Sequence, residues 1–231
     1  MKYPESKFKF VDRGFKDTLV LIPGWATDYR IFSSLDLKFN YLQALKFCPL
    51  NFNDELAKSI SNNSLNKVSL FGWSLGSFLA QDFALNNQAR VDRLILLSIR
   101  AKYESSLLET IKQQLLKNKK VFLYKFYRDC FPKDDRESWL WFKNNLLKDY
   151  SSSLEFDGLV AGLDYLAGAQ INPGFLAKFR KLKIYHGEDD QIAPFKEACE
   201  VRKKLPLAEF ISMPGTGHIP FLSKYFTDVL E

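Results

Sequence analysis

The sequence predicts an α/β fold: a mostly parallel central sheet with helices on both faces and a helical segment inserted between two of its strands. Three observations predict it. Short apolar runs without alternation recur along the chain, as strands buried on both faces require. Each run ends at a turn and is followed by a stretch of helical periodicity, the pattern of a parallel sheet. One of those turns holds a serine between two glycines, where a strand must hand over to a helix within a few residues.

In chain order, Thr18–Ile22 ends at Pro23-Gly24, Val68–Phe71 at Gly72, and Leu94–Leu97 near Ser98. Leu182–His186 ends at Gly187, and Ala208–Ser212 at Met213-Pro214-Gly215. The stretch from Lys102 to Gln170 breaks the rhythm. There the periodicity predicts successive helices over Ser105–Lys117, Val121–Cys130, Arg136–Tyr150 and Leu154–Ala169, carrying Phe122, Tyr124, Phe126, Tyr127, Trp139, Trp141 and Phe142. It reads as a lid over the active edge of the sheet. Core helices packing on each other would give the same pattern, and a lid must bury one face in any case. The expected organisation is a core of 1–101 and 171–231 with a lid of 102–170 inserted in it.

The bulk properties fit such a domain. A chain of 231 residues, 46% of them hydrophobic, can bury one full core. No apolar run reaches the ~18 residues needed to span a bilayer. Met1-Lys2-Tyr3-Pro4-Glu5 has no apolar stretch behind its charge, so no secretory leader is expected. Cys48, Cys130 and Cys199 are odd in number and widely spaced, neither a metal pattern nor a disulfide framework. A cytoplasmic monomer with reduced thiols, no metal, no organic cofactor and no nucleic-acid partner is the expectation. The net charge of +6 is uneven: Arg100 to Leu182 holds 15 basic and 10 acidic residues, the rest of the chain 18 and 17. A local basic excess could attract an acidic partner, or be a solvated helical surface.

Gly72-Trp73-Ser74-Leu75-Gly76 is a G-x-S-x-G element between the run Val68–Phe71 and a helical stretch beginning near Phe78. That strand, turn and helix context makes Ser74 a candidate nucleophile. A turn so tight leaves no room for bulky flanking side chains, hence the glycines. Ser74 also lands at a helix N-terminus, where free amides favour developing negative charge.

A serine hydroxyl needs a base within hydrogen-bond reach. His218, in the glycine-rich loop Gly215-Thr216-Gly217-His218 after the last run, is the candidate. The other histidine, His186, ends a strand and reads as packed against the sheet or lining the pocket wall. A carboxylate must orient the imidazole. In Gly187-Glu188-Asp189-Asp190-Gln191-Ile192-Ala193-Pro194 the pattern G-x-x-D-x-x-x-P selects Asp190, with Asp189 as the alternative. The order Ser, acid, His matches α/β-hydrolases rather than trypsin-like or subtilisin-like proteases. Two amides should meet the oxyanion of acyl transfer. These are assigned to Leu75, next to the nucleophile, and to Trp25, after Ile22-Pro23-Gly24. The Trp25 indole could form a wall of the acyl pocket or simply pack.

These motifs resemble those of the pimeloyl-[acyl-carrier protein] methyl ester esterases of biotin synthesis. Leu19-Val20-Leu21-Ile22-Pro23-Gly24-Trp25 is similar to that family's strand and H-G-W loop, with Pro23 in the place of the histidine. Gly72-Trp73-Ser74-Leu75-Gly76 is similar to its G-W-S-L-G elbow, Ser77 replacing a frequent glycine. Gly217-His218-Ile219-Pro220-Phe221-Leu222-Ser223 resembles its H-x-P-F-[IL]-S loop, and Gly162-Leu163-Asp164-Tyr165-Leu166 a segment leading out of its lid. The resemblance spans about Thr18 to Ser223, loosely in the lid.

It implies an α/β-hydrolase fold and a serine carboxylesterase that demethylates a dicarboxylate acyl chain held on acidic acyl-carrier protein. Trp25, Leu75, Phe126 and Trp139 would contact the substrate. Lys125, Arg128, Lys133, Arg136 and Lys143 would dock the carrier. The same triad would also serve a general carboxylesterase, a thioesterase on another small acyl substrate, or a lyase of menaquinone synthesis. A non-catalytic binding protein that kept the fold is the reading from a different class.

Overall fold

A computed structural model of the chain describes residues 6–224 and 226. The expectation of no secretory leader rests on residues 1–5 and therefore lies outside the described part.

Among the described residues, seven strands form one sheet in the order β1-β3-β2-β4-β5-β6-β7. They are β1 Lys7–Val11, β2 Thr18–Ile22, β3 Asn40–Lys46, β4 Val68–Trp73, β5 Val91–Leu97, β6 Leu182–Gly187 and β7 Glu209–Met213. Only β1 runs antiparallel, paired with β3 at the edge; the remaining neighbours are parallel. Every residue of β2 and β4 is buried, because helices cover both faces of the sheet.

The helices around the sheet are α1 Phe52–Asn62, α2 Leu75–Asn86, α3 Ser105–Asp129, α4 Arg136–Phe142, α5 Lys148–Ser153, α6 Phe156–Gly168, α7 Pro173–Leu176 and α8 Phe195–Lys203. On one side of β4, Phe71 meets Phe32 and Phe221 with ring centroids 5.7 and 6.0 Å away. Fully burying each such ring contributes about 1.5–3 kcal/mol.

Two strands were not expected. In β1, Lys7-Phe8-Lys9-Phe10-Val11 alternates charge and aromatic on an edge that faces water on one side, a period-two signal that a search for continuous apolar runs passes over. In β3, Asn40, Gln43 and Lys46 interrupt the apolar residues. The expected strands also shift slightly. β4 and β6 continue to Trp73 and Gly187, β5 begins at Val91, and β7 is displaced by one residue.

Between β5 and β6 the chain leaves the sheet. Its exit and return touch: Lys102 bridges Gln170, and the Ile171 amide donates to the Ala101 carbonyl at 2.9 Å. Gln81 of α2 holds this neck, donating from Nε2 to the Gln170 carbonyl (2.9 Å) and accepting from the Asn172 amide (2.7 Å). Within α3 the backbone turns non-helical at Asn118. The Asn118 carboxamide oxygen accepts from the Val121 amide at 3.1 Å and caps the second half, which explains two helical stretches in the sequence. The stretch expected as one helix from Arg136 is α4 and α5 joined by a π-helical segment, Lys143–Leu147. Lys112 pairs with Asp164 at 2.6 Å, tying α3 to α6, and the Tyr165 hydroxyl donates to Asp82 of α2 at 2.6 Å.

The strand order reverses between β2 and β4: the chain steps outward from β2 to β3, then returns past β2 to β4. At such a reversal the loops leaving the carboxyl ends diverge and open a crevice. The loop after β2 carries Trp25, and the turn after β4 carries Ser74.

Candidate active site

Ser74 has φ +55° and ψ −116°, a left-handed conformation that a residue with a Cβ adopts only when its surroundings force it. The force is close packing. A Cβ on Gly72 would run into the Gly76 carbonyl, and one on Gly76 into the Ile22 carbonyl of β2. Ser77 stitches the same turn: its buried hydroxyl lies 2.7 Å from the Gly72 carbonyl and accepts from the Leu97 amide at 3.2 Å. The Ser74 amide donates to the Leu97 carbonyl at 2.9 Å. The strained turn is thus pinned from β5, and the hydroxyl is presented above the sheet.

His218 arrives on the loop after β7, with its backbone held on both sides. Its amide donates to the Cys130 carbonyl (2.8 Å), and its carbonyl accepts from the Trp73 indole (2.6 Å) and the Ser98 hydroxyl (2.7 Å). His218 Nδ1 lies 2.8 Å from Asp190 Oδ2, and Nε2 lies 2.9 Å from Ser74 Oγ. A carboxylate only accepts, so Nδ1 carries the proton and Nε2 offers its lone pair to the serine hydroxyl. Asp190 is fixed in turn, with Oδ1 accepting from the amides of Ile192 (2.9 Å) and Ala193 (2.8 Å). All three residues are buried. Asp189 is exposed and stands outside this line.

The loop after β2 passes against Ser74: a Cβ on Gly24 would lie 3.2 Å from Ser74 Cβ. Among the described residues, neither the Trp25 amide nor the Leu75 amide donates to a protein acceptor. Both amides are therefore unpartnered among the described residues, as the oxyanion role expected of them requires.

The Trp25 indole is committed to the inserted helices. Its Nε1 donates to the Leu159 carbonyl of α6 at 2.8 Å, and its ring meets Phe126 edge-on at 5.0 Å and Phe122 at 6.3 Å. Further clamps join the same loop to the insertion. The Tyr127 hydroxyl donates to the Ala26 carbonyl, the Tyr150 hydroxyl lies 3.0 Å from Asp28, and Arg30 pairs with Asp149 at 2.8 Å. Burial pushes the hydroxyls of Tyr127 and Tyr150 well above the usual phenol range, so both remain donors.

Trp139 packs inside the insertion, against Phe131 and Phe142. Arg128 is tied there too: it donates to the Phe131 carbonyl at 2.9 Å and lies over the Trp139 ring. Lys125, Lys133, Arg136 and Lys143 are exposed. A cavity of about 650 Å³ opens on the far side of Asp190, lined in part by Asp134, Asp135, Glu137, Glu188 and Asp189; neither Ser74 nor Trp25 borders it.

One neighbour of Ser74 carried no signal in the sequence. Tyr103, just past β5, is buried with Arg100 over its ring at 4.6 Å. Burial pushes its phenol up to about 12, against the opposing pull of Arg100 and the Ser74 hydroxyl. The phenol therefore stays protonated beside the serine.

No protein-family model matches the chain. It is 26% identical over 228 residues to a pimeloyl-[acyl-carrier protein] methyl ester esterase of Nitrosomonas europaea, covering 89% of this chain and 90% of that protein. A second protein of that description, from Pseudoalteromonas atlantica, is 26% identical over 243 residues, covering 96% and 86%. Among solved structures, an esterase from Exiguobacterium antarcticum superposes with a TM-score of 0.78 at 19% identity, covering 97% of this chain and 91% of that one. The chain has the α/β-hydrolase fold and resembles the pimeloyl-[acyl-carrier protein] methyl ester esterases over most of its length.

Proposed function

We propose that the protein is a serine carboxylesterase that removes the methyl group from a short dicarboxylate acyl chain carried on acyl-carrier protein, the pimeloyl methyl ester of biotin synthesis. The observation that carries the hydrolase reading is the hydrogen-bonded line from Asp190 through His218 to Ser74, beside two unpartnered amides. The substrate is drawn from the relatives named above.

In this reading His218 takes the Ser74 proton as the hydroxyl attacks the ester carbonyl, and Asp190 holds the imidazole in the reactive tautomer. The Trp25 and Leu75 amides receive the oxyanion. His218 then protonates the departing methoxide, and water, activated by the same imidazole, releases the acid. Ser74, His218 and Asp190 are buried and Trp25 is bonded to α6, so in this reading the helices of 102–170 act as a lid that must part from Trp25 to admit substrate. Leu75, Phe126 and the indole of Trp25 line the path thus opened, with Trp139 farther out.

The exposed cations Lys125, Lys133, Arg136 and Lys143 form the face offered to the acidic carrier. Arg128 supports that face through its carbonyl bonds. We assign the protein to the cytoplasm, where its three free thiols stay reduced.

The test is turnover of pimeloyl-carrier methyl ester beside the free methyl ester of the same acid. Preference for the carried form, weakened by added salt, supports the reading, since interactions between exposed charges are screened over a Debye length of about 8–10 Å. Equal rates with both, at any salt, would assign a general carboxylesterase instead.

A further inference from the structure

His186 is the buried imidazole that the proposed chemistry leaves unused. It lies at the end of β6, fully buried, one residue before the turn that presents Asp190. Its Nε2 is 2.8 Å from the Ala193 carbonyl and 3.5 Å from Asp190 Oδ2, the same oxygen that receives His218 Nδ1. A carbonyl only accepts, so the proton sits on Nε2. Among the described residues, Nδ1 is buried with no hydrogen-bond partner.

These contacts close a ring of support. The Ala193 peptide is gripped from both ends: its carbonyl accepts from His186, and its amide donates to Asp190 Oδ1 at 2.8 Å. The turn from Gly187 to Pro194 is therefore tied to the His186 imidazole, and the carboxylate is aimed by the amide of the same residue whose carbonyl the imidazole holds. A doubly protonated ring would bury a cation with a proton on Nδ1 and no acceptor for it among the described residues, so the ring stays neutral. The pull of burial on its basicity is in the same direction. The Asp190 charge is left to His218.

We propose that His186 is a positioning residue: a neutral imidazole in the Nε2–H tautomer that clamps the Ala193 peptide and thereby fixes the aim of Asp190 at His218. This rests on the triad reading above. A carboxylate that rotates away releases the His218 ring from its reactive orientation, and misplacement of a reacting group by about 1 Å can lower a rate on the order of 100-fold.

Three substitutions separate positioning from mere packing. Leucine at 186 removes the donor. Glutamine places an amide nitrogen where Nε2 stood, whereas asparagine is one atom shorter and places it near Nδ1. With a p-nitrophenyl ester of a short acid, His186→Leu and His186→Asn are expected to lower kcat by about 10-fold or more with KM nearly unchanged, and His186→Gln to restore most of it. Proton NMR gives a readout free of turnover. The low-field resonance of the His218 Nδ1 proton should be present in the wild type, lost or shifted upfield in His186→Leu, and regained in His186→Gln.

Wild-type kcat in His186→Leu, or glutamine and asparagine variants that are folded and equally impaired, would overturn the proposal. So would nitrogen-15 shifts placing the wild-type His186 proton on Nδ1, a measurement that needs no variant to fold. A wild-type protein that shows the low-field proton but turns over no ester would instead overturn the esterase reading, leaving the clamp to be judged on the resonance alone.

Discussion

The indole of Trp73 donates to the backbone carbonyl of His218 at 2.6 Å, joining the residue before Ser74 to the imidazole that reaches it. The two rings also meet at 5.5 Å, tilted by 54°. The tryptophan of the G-W-S-L-G turn thus sets the position of the histidine loop. Trp73→Phe should keep most of the apolar packing but leave the carbonyl to the Ser98 hydroxyl alone. The expected result is a loss of about 1–2 kcal/mol in unfolding free energy and a fall of about 10-fold in kcat, read by urea titration and ester turnover. Unchanged kcat would show that Ser98 and Cys130 suffice to hold the loop.

Asp190→Asn should lower kcat by about 10,000-fold while the fold is retained, because an amide can hold the imidazole in the wrong tautomer. Asp189→Asn should leave kcat within about twofold, since that side chain is exposed and away from His218. Steady-state kinetics on the pair decides which acid serves; the reverse ranking would transfer the role to Asp189.

Ser74→Ala should abolish labelling by a fluorophosphonate and reduce ester turnover by about 1,000-fold or more. Intact-mass spectrometry reads the label. A phosphonate adduct retained in full by the alanine variant would remove Ser74 from the chemistry.

Gly162 of α6 lies against the Trp25 indole, and a Cβ there would stand 2.5 Å from Trp25 Cδ1. Gly162→Ala should push α6 off the indole, strain its bond to Leu159, and destabilise the protein by about 1–3 kcal/mol. Limited proteolysis within 102–170 should speed up relative to the wild type. Unaltered proteolysis and melting temperature would mean that α6 is free to shift and that Trp25 is not the latch.

The His186 imidazole also links stability to pH. Burial lowers its pKa from the ordinary 6.5, with Asp190 opposing and the neighbouring His218 assisting. Below about pH 6.5 the unfolded chain binds a proton at this site that the folded chain refuses, so stability falls as pH drops through that range. His186→Gln lacks the effect. The difference in unfolding free energy between wild type and this variant should therefore change in the variant's favour between about pH 7.5 and pH 5; a pH-independent difference would rule the linkage out.

Some of this was legible from residue order. Leu19 to Ile22 and Leu70 to Phe71 are continuous apolar runs because both faces of those strands are covered, so the sequence carries their burial directly. Gly72 and Gly76 mark the elbow because backbone carbonyls occupy the space of a side chain. β1 and β3 were not legible in this way. Half of β1 faces water, and β3 is recruited by pairing on both sides rather than by its own apolarity. The Trp25 indole could be read as pocket wall or as packing, and only the tertiary structure, through its bond to Leu159, 134 residues away, and its contact with Phe126, ties it to the inserted helices.

By itself, the order of residues determined five of the seven described strands, the serine turn and the three groups suited to a proton relay, because local backbone geometry and residue chemistry leave traces within a few positions. The tertiary structure alone decided how those groups are aimed: Trp73 and Cys130 on the His218 backbone, His186 behind the Asp190 turn, Tyr103 beside Ser74. The reason is physical. Hydrogen bonds and contacts between segments far apart in the chain depend on where the sheet delivers each loop, and no local pattern encodes that delivery.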